Sequence, residues 1–425
     1  MTCYADLAPS SRRIMTPGPV EVDPRVLRAL SYPILGQFDP EFTALMNETM
    51  EMLRLLFRTG NKWAYPVDGT SRSGIEAVLT SLIEPGDRIL IPIYGRFGHL
   101  LQEIAERVGG EVTTIEKPWG TVFDPEEVIA AIDRVKPELV IMVHGETSTG
   151  RIQPLEAIGR ECRRRDILFV VDAVATIGGV PVETDEWCMD AVIGGTQKCL
   201  SVPSGMAPVT YNSRAEKKVL ARKRIERGLR IPQVSPASPD FMLSEAEQRS
   251  YIRSNYLDLS QLQDYWSPSR LNHHTEMTSM LYGLREGLRI MLQEGLEARF
   301  QRHRLHERAL IAGLQAMGAS LYGDPSCKLP VVTCVNIPDG IDGESVRGML
   351  LEKFGIEIAS SFGLLKGRIW RIGTMGYSCR RDNILQLLGA LEAVLLRHGV
   401  CLPAGEAVQA ALHVYDEEAS PQAAV

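Results

Sequence analysis

Between about Trp63 and Thr210 the hydrophobic positions fall into two alternating rhythms. Short, nearly unbroken apolar runs at Arg88–Ile93, Leu139–Val143, Leu168–Asp172 and Ala191–Gly194 read as strands buried on both faces. Longer segments with apolar residues three and four apart, at Ser73–Ile83, Arg96–Val108, Pro125–Val135 and Pro154–Arg164, read as helices. This alternation predicts an α/β fold with a mostly parallel sheet covered on both faces. Such sheets bind ligands beyond the carboxyl ends of their strands. The stretch from about Ala215 to Trp266 is polar and punctuated by prolines, and predicts surface helices and loops. A long amphipathic segment, Thr275 to Met317, leads into a second region with short strands (Val331–Ile337, Arg368–Ile372) and helices (Ser345–Phe354, Arg381–His398). That pattern predicts a small α+β domain. From Pro403 onward the chain is rich in Ala, Glu and Pro and is expected to be loosely ordered. The expected division is an arm at 1–20, a large domain at 21–280, a small domain at 281–402 and a tail at 403–425.

Bulk properties narrow the class. A chain of 425 residues exceeds what one core usually supports, which agrees with two domains. Hydrophobic residues make up 44% and charged residues 23%, ordinary for a globular protein. The net charge of −7 argues against nucleic-acid or anionic-membrane partners. No run of roughly 18 apolar residues predicts a transmembrane helix. Residues Met1 to Arg13 lack the apolar core of a secretory signal, and a cytoplasmic location is expected. The eight cysteines are scattered with no CxxC pair, so neither a disulfide framework nor a metal site is expected.

The candidate chemistry lies at predicted strand ends. Gly194-Gly195-Thr196-Gln197-Lys198 carries a strand through small residues to one lysine, and Val170-Val171-Asp172-Ala173 places an acid directly after another strand. One crossover and one strand separate the two. Pyridoxal chemistry needs this pair: an amine that condenses with the cofactor aldehyde, and a carboxylate that keeps the pyridine nitrogen protonated. Asp68-Gly69-Thr70-Ser71-Arg72-Ser73-Gly74 precedes a helix and can offer backbone amides to a phosphate. Phe97, after the strand Arg88–Ile93, is the candidate to cover the cofactor ring. Arg371, near the end of a predicted strand, presents a two-donor fork for a substrate carboxylate.

Taken together, these positions resemble the class V aminotransferases, in particular the alanine/serine–glyoxylate group. The carriers are Thr16-Pro17-Gly18-Pro19, His144-Gly145-Glu146-Thr147-Ser148-Thr149-Gly150, Val171-Asp172-Ala173-Val174-Ala175, Gly195-Thr196-Gln197-Lys198, His273-His274-Thr275 and Arg371-Ile372-Gly373. The resemblance spans nearly the whole chain, from Met15 to about Leu396. It implies pyridoxal-phosphate fold type I, with a mostly parallel seven-stranded sheet and a small C-terminal domain. It implies pyridoxal 5'-phosphate as cofactor, Lys198 as Schiff-base lysine and proton shuttle, and Asp172 on the pyridine nitrogen. It also implies Val174 on one ring face and Thr147 near the phenolic oxygen. Ser71, Arg72 and Gln197 would contact the phosphate, as would Thr275 reaching into a partner subunit of a homodimer. Gly18 and Arg371 would line the substrate.

Two departures bear on the substrate. The chain reads Asn272-His273-His274-Thr275 where many relatives carry a tyrosine first, and Leu35-Gly36-Gln37-Phe38 has glutamine where relatives often have histidine or serine. Two amides complement a ureido group, which also offers N–H and C=O. The pair resembles the ureidoglycine–glyoxylate aminotransferases of purine (ureide) catabolism and implies (S)-ureidoglycine as amino donor, glyoxylate as acceptor and glycine as product. Arg72 is a third departure and leaves the phosphate contacts open. Alternatives at this point are an alanine– or serine–glyoxylate aminotransferase, a cysteine desulfurase-like lyase and a catalytically silent cofactor carrier.

Overall fold

The computed structural model describes residues 4–224 and 251–419. Part of the proline-punctuated stretch, 225–250, lies outside the described residues.

Seven strands form the main sheet: β1 (Trp63–Gly69), β2 (Arg88–Ile93), β3 (Glu111–Glu116), β4 (Leu139–Val143), β5 (Leu168–Asp172), β6 (Ala191–Ile193) and β7 (Gly205–Tyr211). Their spatial order is β1-β7-β6-β5-β4-β2-β3. Only β7 runs antiparallel to its neighbours, β1 and β6. Since it opposes both, β1 points the same way as the parallel strands, and all their carboxyl ends meet at one edge. Residues of β4 and β5 are buried throughout, as expected of strands covered on both faces. Their pairing sets Val143 against Asp172, and Asp172 against Ile193 on β6. Helices α1 (Ser71–Leu82) and α2 (Arg96–Val108) follow β1 and β2 directly. Gly74 of α1 is needed for that packing, because a Cβ there would stand 2.6 Å from Ala207 Cβ on β7.

The predicted Thr275–Met317 segment divides into two helices, α3 (Thr278–Glu294) and α4 (Leu296–Ala316). The break is Gly295, whose φ of +84° suits glycine and not a continued helix. Beyond it, β8 (Val332–Asn336), β9 (Ala359–Ser360) and β10 (Ile369–Gly373) make a three-stranded antiparallel sheet in the order β8-β10-β9. Helix α5 (Arg381–Arg397) packs on it through Ile384, Leu387, Leu388 and Leu391.

The tail departs from expectation. Residues Glu406–Ala419 form helix α6, with Ala407, Ala411 and Tyr415 buried in the same apolar cluster as Leu310 and Leu314 of α4. An alanine every fourth residue is a helical stripe (Ala407, Ala411), and Tyr415 continues it one turn on. The amino-terminal arm is also fixed. Arg13–Ile14 pairs with Ile356–Glu357, and Gly373 N–H donates to the Met15 carbonyl at 2.8 Å. A side chain on Gly373 would overlap the Thr16 backbone, so this glycine lets the arm cross β10 and reach the main sheet's carboxyl edge.

Candidate active site

A cavity of about 220 Å³ opens at that edge. Loops leaving β1, β2, β4, β5 and β6 line it with Ser71 and Arg72, Phe97, Thr147, Asp172 and Val174, and Gln197 and Lys198, respectively. Eight residues expected at a cofactor from the sequence therefore converge.

Lys198 is buried, and its Nζ donates to the Pro17 carbonyl of the crossing arm. Burial lowers its pKa to about 8, with the nearby Arg371 charge adding to the effect. A substantial share of the amine is thus neutral near physiological pH and able to act as a nucleophile or base. Gly18, at φ +108°, lies against this side chain, and a Cβ there would overlap the lysine's outer carbons. Asp172 accepts a 2.9 Å hydrogen bond from the Val174 amide. Burial pushes its pKa up to about 6; the Val174 bond opposes this, and Glu146 adds to it. At neutral pH it remains a carboxylate poised for a buried cationic partner.

The α1 amino terminus faces the cavity through Thr70, Ser71 and Arg72. Its N-cap, Thr70, makes no side-chain capping bond, and no acidic residue occupies the first turn. The helix thus offers amides and a positive dipole end to an anion. Ser71 Oγ donates to Gln197 Oε1 at 2.8 Å. Gly195 closes in so tightly that a Cβ would collide with Ser71 Oγ. Hydroxyl, amide and helix end form a cup suited to a phosphate, while Asp172, Phe97 and Val174 line the same cavity. An amine, a carboxylate, two ring-facing apolar walls and an anion cup fit pyridoxal 5'-phosphate.

Arg371 on β10 is buried at one side. Its Nε donates to the Ser360 carbonyl at 2.8 Å, and its Nη1 to the Thr147 carbonyl at 3.0 Å. Its guanidinium lies 4.4 Å from the centre of the Phe362 ring. Burial lowers its pKa to about 10, which still leaves it charged at neutral pH.

The remaining expected residues lie elsewhere. Gln37 and Asn272 do not line the cavity; they meet each other, with Gln37 Nε2 donating to Asn272 Oδ1 at 2.9 Å. Thr275 is exposed and does not line its own chain's cavity.

Three supporting groups escaped the sequence reading. Glu146 is fully buried and accepts from the Phe97 amide (2.8 Å), the Ser148 amide (2.9 Å) and the Ser148 hydroxyl (2.6 Å), fixing the loops after β2 and β4 together. Its presence in the motif that carried the resemblance was an available signal. Pro17 acts through its carbonyl, which no side-chain pattern reveals. Phe362, set between Arg371 and Arg96, whose guanidinium lies 4.1 Å from its ring centre, sits in a loop with no periodic signal.

Fold and site together define a pyridoxal-phosphate transaminase of fold type I, and the chain belongs to the class-V aminotransferases. A sequence profile described as aminotransferase class-V matches residues 34–228. The chain is 66% identical over 425 residues, all of both chains, to the (S)-ureidoglycine–glyoxylate transaminase of Bacillus subtilis. It is 33% identical over 389 residues to the alanine–glyoxylate aminotransferase of Callithrix jacchus, covering 91% of this chain and 88% of that one. The crystal structure of ureidoglycine-glyoxylate aminotransferase from Bacillus subtilis superposes with a TM-score of 0.90 at 65% identity, over 97% of this chain and 100% of the other.

Proposed function

We propose that the protein transfers the amino group of (S)-ureidoglycine to glyoxylate, forming glycine, and works as a homodimer with shared active sites. The observation that carries the donor assignment is the amide pair Gln37–Asn272, joined at 2.9 Å across 235 residues of chain. Gln37 Oε1 is buried with no hydrogen-bond partner, so this pair holds an acceptor in reserve for an N–H donor such as a ureido group.

Pyridoxal 5'-phosphate, when bound, would supply an aldehyde function and an electron-withdrawing ring. Lys198 would hold the cofactor and, once free, would take the substrate's α-proton on its Nζ. Asp172 would pair with the pyridine nitrogen and favour its protonated form. Arg371 anchors the carboxylate of donor and acceptor in turn, with Phe362 and two backbone carbonyls fixing its plane. Ser71, Arg72 and Gln197 hold the phosphate, and Gly18 leaves room for the lysine to swing.

The dimer places Thr275 of one chain at the phosphate cup of the other and brings the amide pair to the cavity mouth. Its support is an apolar surface around Gln37: Ile34 is 71% and Phe38 78% exposed, beside an open groove lined by Tyr32, Pro33 and Leu45.

A panel of amino donors against glyoxylate tests the reading. Ureidoglycine should exceed alanine and serine in kcat/KM. Gln37→Leu or Asn272→Leu should cut ureidoglycine turnover at least about tenfold, with alanine turnover little changed, because an apolar replacement leaves the ureido group unmet. Equal losses for every donor would overturn the assignment.

A further inference from the structure

Away from the cavity, Asp68, His274 and Glu276 are the one trio of His, Cys, Asp or Glu among the described residues whose available ligand atoms all lie within 4.8 Å of one another. Asp68 lies on β1, one residue before its end and three before helix α1. His274 and Glu276 flank Thr275, two and four residues after Asn272. Both carboxyl groups are almost fully buried, at 3% and 5% exposure. His274 Nε2 stands 3.2 Å from Asp68 Oδ2 and 3.6 Å from Glu276 Oε2.

These groups face one another without satisfying one another. Asp68 Oδ1, His274 Nε2 and both carboxyl oxygens of Glu276 are shut away from solvent and make no hydrogen bond. His274 Nδ1 lies 2.8 Å from His273 Nδ1, a contact that needs a proton between the two nitrogens. When His274 supplies that proton, its Nε2 turns a lone pair toward two carboxylates. Lone pairs converging in a buried space call for a cation, since an uncompensated buried charge is strongly unfavourable.

The spacing selects which cation. Ligands bound to Zn²⁺ at about 2.0–2.2 Å in a tetrahedron stand roughly 3.4 Å apart. The two separations of His274 Nε2, 3.2 and 3.6 Å, bracket that edge. One imidazole with two carboxylates suits a divalent transition ion and disfavours an alkali ion. Tyr265, whose ring centre is 4.8 Å from that of His274, has a buried hydroxyl that is also without a partner and can orient a water as fourth ligand.

We propose that Asp68, His274 and Glu276 bind one divalent metal ion, best matched by Zn²⁺, which pins the segment carrying Asn272 and Thr275 to the end of strand β1. The positioning of Asn272 rests on the donor assignment above; the ion binding does not. Sequence spacing alone hides such a site, because the third ligand lies some two hundred residues upstream of the other two.

The test uses cofactor-loaded enzyme stripped with a chelator, dialysed and titrated with zinc chloride by calorimetry, with elemental analysis and melting temperature read in parallel. One ion should bind per chain and raise the melting temperature. Asp68→Asn and Glu276→Gln should each weaken binding at least tenfold while retaining the cofactor's visible absorbance. His274→Gln serves if either variant loses that absorbance. No uptake by the wild-type enzyme, or uptake undiminished in the variants, would overturn the proposal. Zinc binding reads the site whatever the preferred donor, so a wrong donor assignment and a wrong metal site give separate results.

Discussion

At the scale of single residues, the reactivity of the site rests on burial shifting two groups toward neutral pH. Lys198 is lowered to about 8, chiefly by desolvation. An amine attacks an aldehyde only when deprotonated, so cofactor capture by the apo-enzyme should speed up as pH rises and level off above about pH 8. An ordinary lysine would continue to gain up to about pH 10. Stopped-flow absorbance after mixing with pyridoxal phosphate measures this; a rate still climbing between pH 9 and 10 would contradict it. Lys198 and Asp172 were legible in the sequence because each follows an apolar strand, and parallel strands bring their ends to one edge. The supporting roles of Glu146 and Pro17 were not, since one serves by holding backbone amides and the other by its carbonyl. Those contacts exist only once distant loops have met.

At the scale of elements, continuous apolar runs gave β2, β4 and β5 to the residue, since strands buried on both faces need no polar alternation. Strand β3, at the sheet edge, reads Glu-Val-Thr-Thr-Ile-Glu and has no fully buried residue, so its signal was weak. The carboxyl-terminal helix α6 was missed because its buried stripe is mostly alanine, which composition alone does not separate from a polar tail. Tyr415 is its anchor: nearly buried, with His306 Nδ1 2.8 Å from its hydroxyl. Tyr415→Ala should cost about 3 kcal/mol of stability through lost burial and a cavity beside α4. Chemical denaturation of the cofactor-loaded enzyme measures it, and a change below about 1 kcal/mol would show that the helix adds little. Activity at low temperature should survive, because α6 packs on α4 and α5 and none of its residues lines the cavity.

At the scale of the whole molecule, one chain supplies an almost complete cofactor site but leaves Thr275 and the amide pair outside it. In the proposed dimer a second copy would complete the arrangement by docking on the apolar surface around Phe38. Phe38→Asp should convert the dimer to monomer in sedimentation velocity and lower transamination more than about tenfold. A fully active monomer would show that each chain works alone. No helix among the described residues is long and apolar enough to cross a membrane. The chemistry turns on one amine. Borohydride reduction of the cofactor-loaded protein, followed by peptide mass mapping, tests it most directly. The phosphopyridoxyl mass should appear on Lys198 and nowhere else. An unmodified Lys198, or a label on another lysine, would contradict the assignment of the site.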